Sequence, residues 1–69
     1  MQFKRDEAGR DVSAGIRGEW QVHPWEDNRR GDRFALLLFR EGLKPRPFGI
    51  FISSPDAQAA AEKYDERGN

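Results

Sequence analysis

The chain has 69 residues, balanced charge and no cysteine, and these facts exclude several classes of protein. Its twelve basic and twelve acidic side chains cancel, so charge alone does not indicate a nucleic-acid-binding protein. Without cysteine there is no disulfide and no cysteine-based metal site. A chain this short forms one domain, whose core buries only about 60% of the surface that the unfolded chain exposes.

The apolar runs are too short to cross a bilayer, and the N-terminal residues do not form a signal-peptide pattern. Met1 is followed almost at once by four charged residues, at positions 4–7. We therefore expect a soluble cytoplasmic protein that makes no contact with a membrane.

The first eighteen residues are the least regular part of the sequence. Phe3, Val12 and Ile16 are the only sizeable apolar side chains there after Met1, and charged residues and glycines separate them. Two interpretations stay open for residues 1–18. They form either a short hairpin, which pairs residues near Phe3 with residues near Val12, or a flexible arm. We expect residues 19–67 to form the folded domain.

Residues 19–25 predict the first strand of that domain. Within it, Trp20 and Val22 should face one side of a sheet, and Gln21 and His23 should face the other. The proline that follows His23 lacks a backbone donor, which favours an edge position or a bulge.

Two further strands are expected. A charged turn over residues 26–32 leads to a second strand at 33–40, whose segment FALLLF is apolar at both parities. Such a strand usually lies in the centre of a sheet and is covered on both faces. Residues 42–47 contain two prolines and form a stiff connection to a third strand at 48–53. The short connections favour antiparallel pairing.

A helix is predicted directly after the third strand. Ser53 or Ser54 can accept a hydrogen bond from a free amide of its first turn, where Pro55 is also well suited, and Gly68 is expected to end it. Its inner face is predicted from four residues at helical spacing, Ala57, Ala60, Ala61 and Tyr64. The predicted fold is an α+β domain with a three-stranded antiparallel sheet and one C-terminal helix packed on one face.

The sequence contains no catalytic or metal-binding pattern, so we expect neither an enzyme nor a bound cofactor. The single histidine, His23, lacks the partner and the pocket that acid–base catalysis needs. The carboxylates of the predicted helix are interpreted as a solvated face: Asp56, Glu62, Asp65 and Glu66.

The most suggestive polar group is basic. Arg29, Arg30 and Arg33 follow the first strand, and Lys44 and Arg46 precede the third. Side chains at the ends of neighbouring strands could form a rim that contacts phosphates. The alternative is a solvated loop whose positive charge is offset by the acidic residues beside it.

Three segments and two helix residues resemble a known family: Gly18-Glu19-Trp20-Gln21-Val22, Gly31-Asp32-Arg33 and Gly49-Ile50-Phe51-Ile52-Ser53, with Ala57 and Ala60. The pattern is similar to that of the three-stranded, helix-backed DNA-binding domains at the N-terminus of tyrosine integrases. The plant ethylene-response type of domain is built in the same way. The resemblance covers about residues 18–64, which is nearly all of the foldable chain.

The resemblance implies that Phe51 joins the core under the helix and that Ser53 caps the helix. It also implies that the sheet face away from the helix enters the major groove of duplex DNA. That face would present Gln21, His23, Arg29, Arg30 and Arg33. Because no integrase catalytic domain accompanies these residues, the resemblance implies a stand-alone DNA-binding or regulatory protein of a mobile element.

The sequence departs from the family pattern on the second and third strands. FALLLF is much more apolar than a strand that reads DNA should be. Alternate residues of a strand point to the same face of a sheet, so Phe48, Ile50 and Ile52 of the third strand would all face the groove. Apolar groups there cannot hydrogen-bond to base edges. The alternative is a protein-interaction module, or a homodimer, that buries the second apolar sheet face through Ile50 and Ile52.

Overall fold

A computed structural model of the protein describes residues 2–24 and 33–67. Within them the chain forms five strands and one helix: β1 (Lys4–Arg5), β2 (Asp11–Ala14), β3 (Glu19–Pro24), β4 (Phe34–Phe39), β5 (Arg46–Phe51) and α1 (Ser54–Arg67). The strands form one sheet in chain order, and every neighbouring pair is antiparallel. The predicted turn at 26–32 and the predicted helix end at Gly68 lie outside the described residues.

The α+β class and the C-terminal helix packed on an antiparallel sheet are confirmed, but the predicted number of three strands is wrong. Two more strands come from the N-terminal residues, where Lys4 pairs with Val12. The turn between them is closed by Asp6, whose carboxylate accepts hydrogen bonds from the amides of Ala8 and Arg10 at 3.0 and 2.8 Å. β2 then pairs with β3, so the sheet continues across the expected boundary between residues 18 and 19.

β3 is the central strand of the sheet, and the expected edge position for it is wrong. Pro24 is the last residue of β3 and pairs with Phe34 at the end of an unbroken ladder. At that position the missing backbone donor interrupts no inner hydrogen bond of the sheet.

The helix packs on one face of the sheet and forms the core there. The predicted alternation along β3 is confirmed, because Trp20 and Val22 are fully buried on the helix side. The buried core consists of residues from β3, β4 and α1: Trp20, Val22, Leu36, Leu38, Ala57 and Ala61.

The helix begins as predicted. The Ser53 side-chain oxygen accepts a hydrogen bond from the amide of Asp56 at 3.2 Å, which satisfies one free donor of the first turn. Ala57 and Ala61 are completely buried, and Ala60 and Tyr64 pack beside them at the edge of the core. A face built largely of methyl groups lets the helix axis lie close to the sheet.

A β-bulge changes which side chains of β5 face the helix. The β4–β5 register shifts between Leu36 and Leu37, and Gly49 adopts a positive φ of 136° that favours glycine. Phe48 therefore packs on the helix side, with its ring 5.0 Å from the rings of both Trp20 and Tyr64. The expectation that Phe48 shares the opposite face with the two isoleucines that follow is wrong.

The sheet face opposite the helix is not covered by any helix or strand among residues 2–24 and 33–67, so the expectation that β4 is covered on both faces is wrong for this part of the chain. We call it the open face. Direct cross-strand partners share a face, and the register assigns these residues to it: Lys4, Val12, Ala14, Glu19, Gln21, His23, Ala35, Leu37, Phe39, Pro47 and Ile50.

Candidate interaction surface

The helix side of the sheet holds a buried carboxylate. Asp65 is only 6% exposed, and it accepts hydrogen bonds from the amides of Ile16 and Arg17, both at 3.0 Å, and from the Trp20 indole at 3.1 Å. The expectation that Asp65 belongs to a solvated helix face is wrong, because it follows Ala61 by four residues and so points inward. This spacing was the signal that could have found it.

The electrostatics of Asp65 favour the charged form. Burial by itself would raise the pKa of the carboxyl group, but the hydrogen bonds from Ile16, Arg17 and Trp20 outweigh this effect. The positive charge of Arg17 acts in the same direction, and the pKa of Asp65 lies below its ordinary value. Asp65 is thus a structural anion that joins the end of α1 to the β2–β3 turn.

A second buried carboxylate holds the start of the helix. Asp11 accepts hydrogen bonds from Arg5 Nε at 3.3 Å, from the Ser54 hydroxyl, and from Gln58 Nε2 at 3.4 Å. Because Asp11 lies on β2, this cluster joins the N-terminal hairpin to the first turns of α1. Together with Asp65, it attaches the two halves of the helix to the N-terminal hairpin, which was one of the two interpretations left open for residues 1–18, and to the β2–β3 turn.

A shallow hollow opens beside Asp65, lined by Ala14, Gly15, Ile16, Glu62, Asp65 and Glu66. A side chain at Gly15 would approach the Asp65 carboxylate to 2.7 Å, so glycine is required for this contact. The carboxylate of Asp65 already accepts three hydrogen bonds. No group of three or more possible metal-ligating side chains occurs in the part of the chain that the structure describes. The buried carboxylate of this hollow therefore serves the fold.

The open face has a polar half and an apolar half. On β3, Gln21 Nε2 donates to Glu19 Oε2 at 2.6 Å, and Gln21 Oε1 is hydrogen-bonded to His23 Nε2. Since the amide oxygen can only accept, His23 must donate from Nε2. The polar atoms of Gln21 are therefore already paired within the chain. Sequence alternation could have placed Glu19 here, but it was not a predicted site residue.

His23 is half-buried and lies against an aromatic ring. Its imidazole stacks on Phe39 with the ring centroids 5.9 Å apart. Burial lowers the pKa of His23, the positive charge of Arg10 lowers it further, and the carboxylate of Asp6 acts in the opposite direction. The net direction is downward, so His23 is neutral at pH 7.

The apolar half of the open face comes from β4 and β5. We define it as five residues: Ala35, Leu37, Phe39, Pro47 and Ile50. Ile50 is 53% exposed, and Ile52, which follows the end of β5, is 75% exposed. Large apolar side chains on one uncovered sheet face are typical of a surface that binds another molecule.

Among the described residues, the structure does not bring Arg33 together with Lys44 and Arg46. Arg33 precedes β4 and Lys44 precedes β5, so they lie near opposite ends of a six-residue strand, which is about 20 Å long. Arg46 pairs with Leu38 and places its guanidinium 5.1 Å from the Phe48 ring, on the helix side. Arg29 and Arg30 lie outside the described residues. Of the predicted nucleic-acid-binding residues that the structure describes, Gln21 and His23 are hydrogen-bonded to each other.

Comparisons with protein-family models, with curated proteins and with solved structures find no match to this chain. The resemblance to integrase DNA-binding domains therefore stays a prediction. Within the described residues, no helix is long and apolar enough to span a membrane.

Proposed function

We propose that this protein is a protein-interaction module that pairs with a second copy of itself through the open face. The observation that carries the proposal is that Ile50 is 53% exposed on the same sheet face as the half-buried Leu37 and Phe39, with the 75% exposed Ile52 just past the end of β5. Covering these side chains removes apolar surface from water, and each fully covered isoleucine contributes about 1.5–3 kcal/mol.

The chemistry of the open face suits a protein partner better than duplex DNA. Reading base edges requires donors and acceptors that are free to reach them. The side chain of Gln21 is instead hydrogen-bonded to Glu19 and to His23, the residues on either side of it on the same face of β3. The β4 and β5 part of the face offers apolar groups. Glu19, at the start of β3, adds a negative charge to the open face, which repels a phosphate backbone.

The size of the face sets the expected affinity. Five strands about 4.8 Å apart and six residues of about 3.4 Å each give at most about 24 by 20 Å, or roughly a tenth of the 5155 Å² accessible surface of the protein. Two such faces together bury at most about 1,000 Å², which only reaches the lower limit of a specific interface. We therefore expect a reversible dimer with a dissociation constant in the micromolar range.

The test is sedimentation across a range of protein concentrations. The mass should rise with concentration from 8.0 kDa towards twice that value. Ile50→Glu should keep the protein monomeric, because it places a charge within the interface. Ile16→Glu is the matched control: Ile16 is 87% exposed in the β2–β3 turn, and its replacement should leave the dimer intact.

A wild-type protein that stays monomeric at every concentration overturns the proposal. A parallel titration with duplex DNA covers the rival function. If the protein remains monomeric and binds DNA with an affinity that falls steeply as salt rises, the DNA-binding hypothesis is supported instead.

A further inference from the structure

Glu19 and Arg10 lie at opposite ends of the open face, and Lys4 lies between these ends on the edge strand β1, where it pairs with Val12. Glu19 begins β3 and pairs with Phe39, which ends β4. At the other end of β3, His23 pairs with Ala35, and Arg10 directly precedes the β2 residue that pairs with Val22. The face therefore has a carboxylate at one end and a guanidinium at the other.

The charge at the basic end acts on its surroundings. At His23 the effect of Arg10 outweighs the opposite effect of Asp6, whose carboxylate is bound to two amides of its own turn. Arg33 precedes β4 at this same end. Arg10 and Glu19 are both exposed, so neither charge is enclosed within the monomer.

We infer that two copies pack open face to open face about a two-fold axis that runs across the strands, so that Glu19 of each copy lies over the Arg10 end of the other. This inference rests on the proposed function and specifies the arrangement of the partner. The axis passes through the row of cross-strand partners Lys4, Val12, Gln21, Leu37 and Pro47. It places Leu37 of the two copies against each other.

The distribution of apolar side chains selects this axis. A two-fold axis across the strands sets β4 and β5 of one copy over β4 and β5 of the other, so apolar surface covers apolar surface. An axis along β3 would instead set β5 over β1, whose two residues, Lys4 and Arg5, are both exposed. Only the first arrangement also sets each Glu19 over His23 of the other copy, next to Arg10. It sets Lys4 of one copy opposite Lys4 of the other, at the rim, where solvent screens their repulsion.

Pairing through the sheet edge is less favourable. β5 is the long edge strand, but Pro47 removes one of its backbone donors and the bulge at Gly49 breaks its regular spacing. Natural proteins use prolines and bulges of this kind to prevent edge-to-edge association. The other edge, β1, has only two residues. The face, not the edge, is therefore the surface available to a second copy.

Reciprocal charge reversal tests the arrangement. Glu19→Lys and Arg10→Glu should each weaken self-association by about tenfold, since each reverses two symmetric contacts of modest strength. An equimolar mixture of the two variants should recover the wild-type dissociation constant. In the mixed dimer, Lys at 19 meets Glu at 10, and the native Arg10 meets the native Glu19.

The control pair is Glu41→Lys with Lys44→Glu, which makes the same charge changes at exposed positions between β4 and β5. These variants should associate like the wild type, alone or mixed. If Ile50→Glu abolishes the dimer but the reversal variants do not recover on mixing, the arrangement is wrong and the proposed function stands. If the wild type never dimerises, the proposed function itself fails.

Discussion

The two faces of the sheet differ in how their polar groups are used. On the helix side, Asp11 and Asp65 are buried and each accepts several hydrogen bonds from distant parts of the chain. On the open face, the side chains of Glu19, Gln21 and His23 are hydrogen-bonded to one another along the same strand. The helix side is thus specified by long-range contacts within the monomer, whereas the open face keeps its apolar half partly exposed.

The largest expected effect is a loss of stability when the buried carboxylate on the helix side is removed. Asp65→Ala removes the acceptor of three buried or partly buried donors, and we expect it to lower the free energy of unfolding by about 3 kcal/mol or more. Chemical denaturation at pH 7 measures this change. Glu66→Ala, one residue further along α1 and exposed, is the control and should leave stability unchanged. An equally small loss for both variants would show that the buried carboxylate contributes nothing.

The same carboxylate gives the helix side an acid dependence. Because its native pKa lies below the ordinary value of about 3.9, the unfolded state binds this proton more readily than the folded state. The contribution of Asp65 is therefore fully present above about pH 4 and is lost as the pH falls through its lowered native pKa. Asp65→Ala should lack this part of the acid-unfolding profile.

The next effect concerns packing between the helix and the sheet. Ala61→Leu adds three carbons where the side chain is completely buried, and overpacking of this kind costs about 1–3 kcal/mol. Ala59→Leu makes the same change on the exposed side of α1 and should have little effect. Thermal unfolding of the two variants gives the comparison. If Ala61→Leu melts with the wild type, the helix does not lie as close to the sheet as the structure indicates.

The elements that the sequence predicted are those with a marked apolar pattern. The apolar residues of β3 and α1 repeat with a regular period, β4 and β5 are apolar on both faces, and Ser53 caps α1 as expected. β1 and β2 were left open because their residues are mostly polar, and the burial of Asp11 depends on partners more than forty positions away. A period in one segment cannot reveal a partner in another.

The predicted side-chain directions on β5 were wrong for a different reason. A bulge inserts one residue and reverses the parity of everything on one side of it. Phe48 consequently faces the helix while Ile50 faces the open side. Gly49 was visible in the sequence, but glycine alone does not identify a bulge. The candidate surface was foreseeable in part, because the two exposed isoleucines were named from the sequence.

The smallest expected effect is the pH dependence of stability that comes from His23 on the open face. The pKa of His23 is lowered by burial and by Arg10, so below the ordinary value of about 6.5 the unfolded state binds this proton first. Stability should therefore fall slightly as the pH drops from 6.5 to the native pKa and change no further below it. His23 is the only histidine, so its ring-proton NMR signals report the native pKa directly.

At concentrations where the protein is monomeric, the midpoint of the His23 NMR titration should lie below pH 6.5. Arg10→Glu should raise this midpoint, because it replaces a repelling charge with an attracting one. A midpoint that Arg10→Glu leaves unmoved would place Arg10 away from this end of the open face, and the pairing of Arg10 with Glu19 between copies would lose its basis.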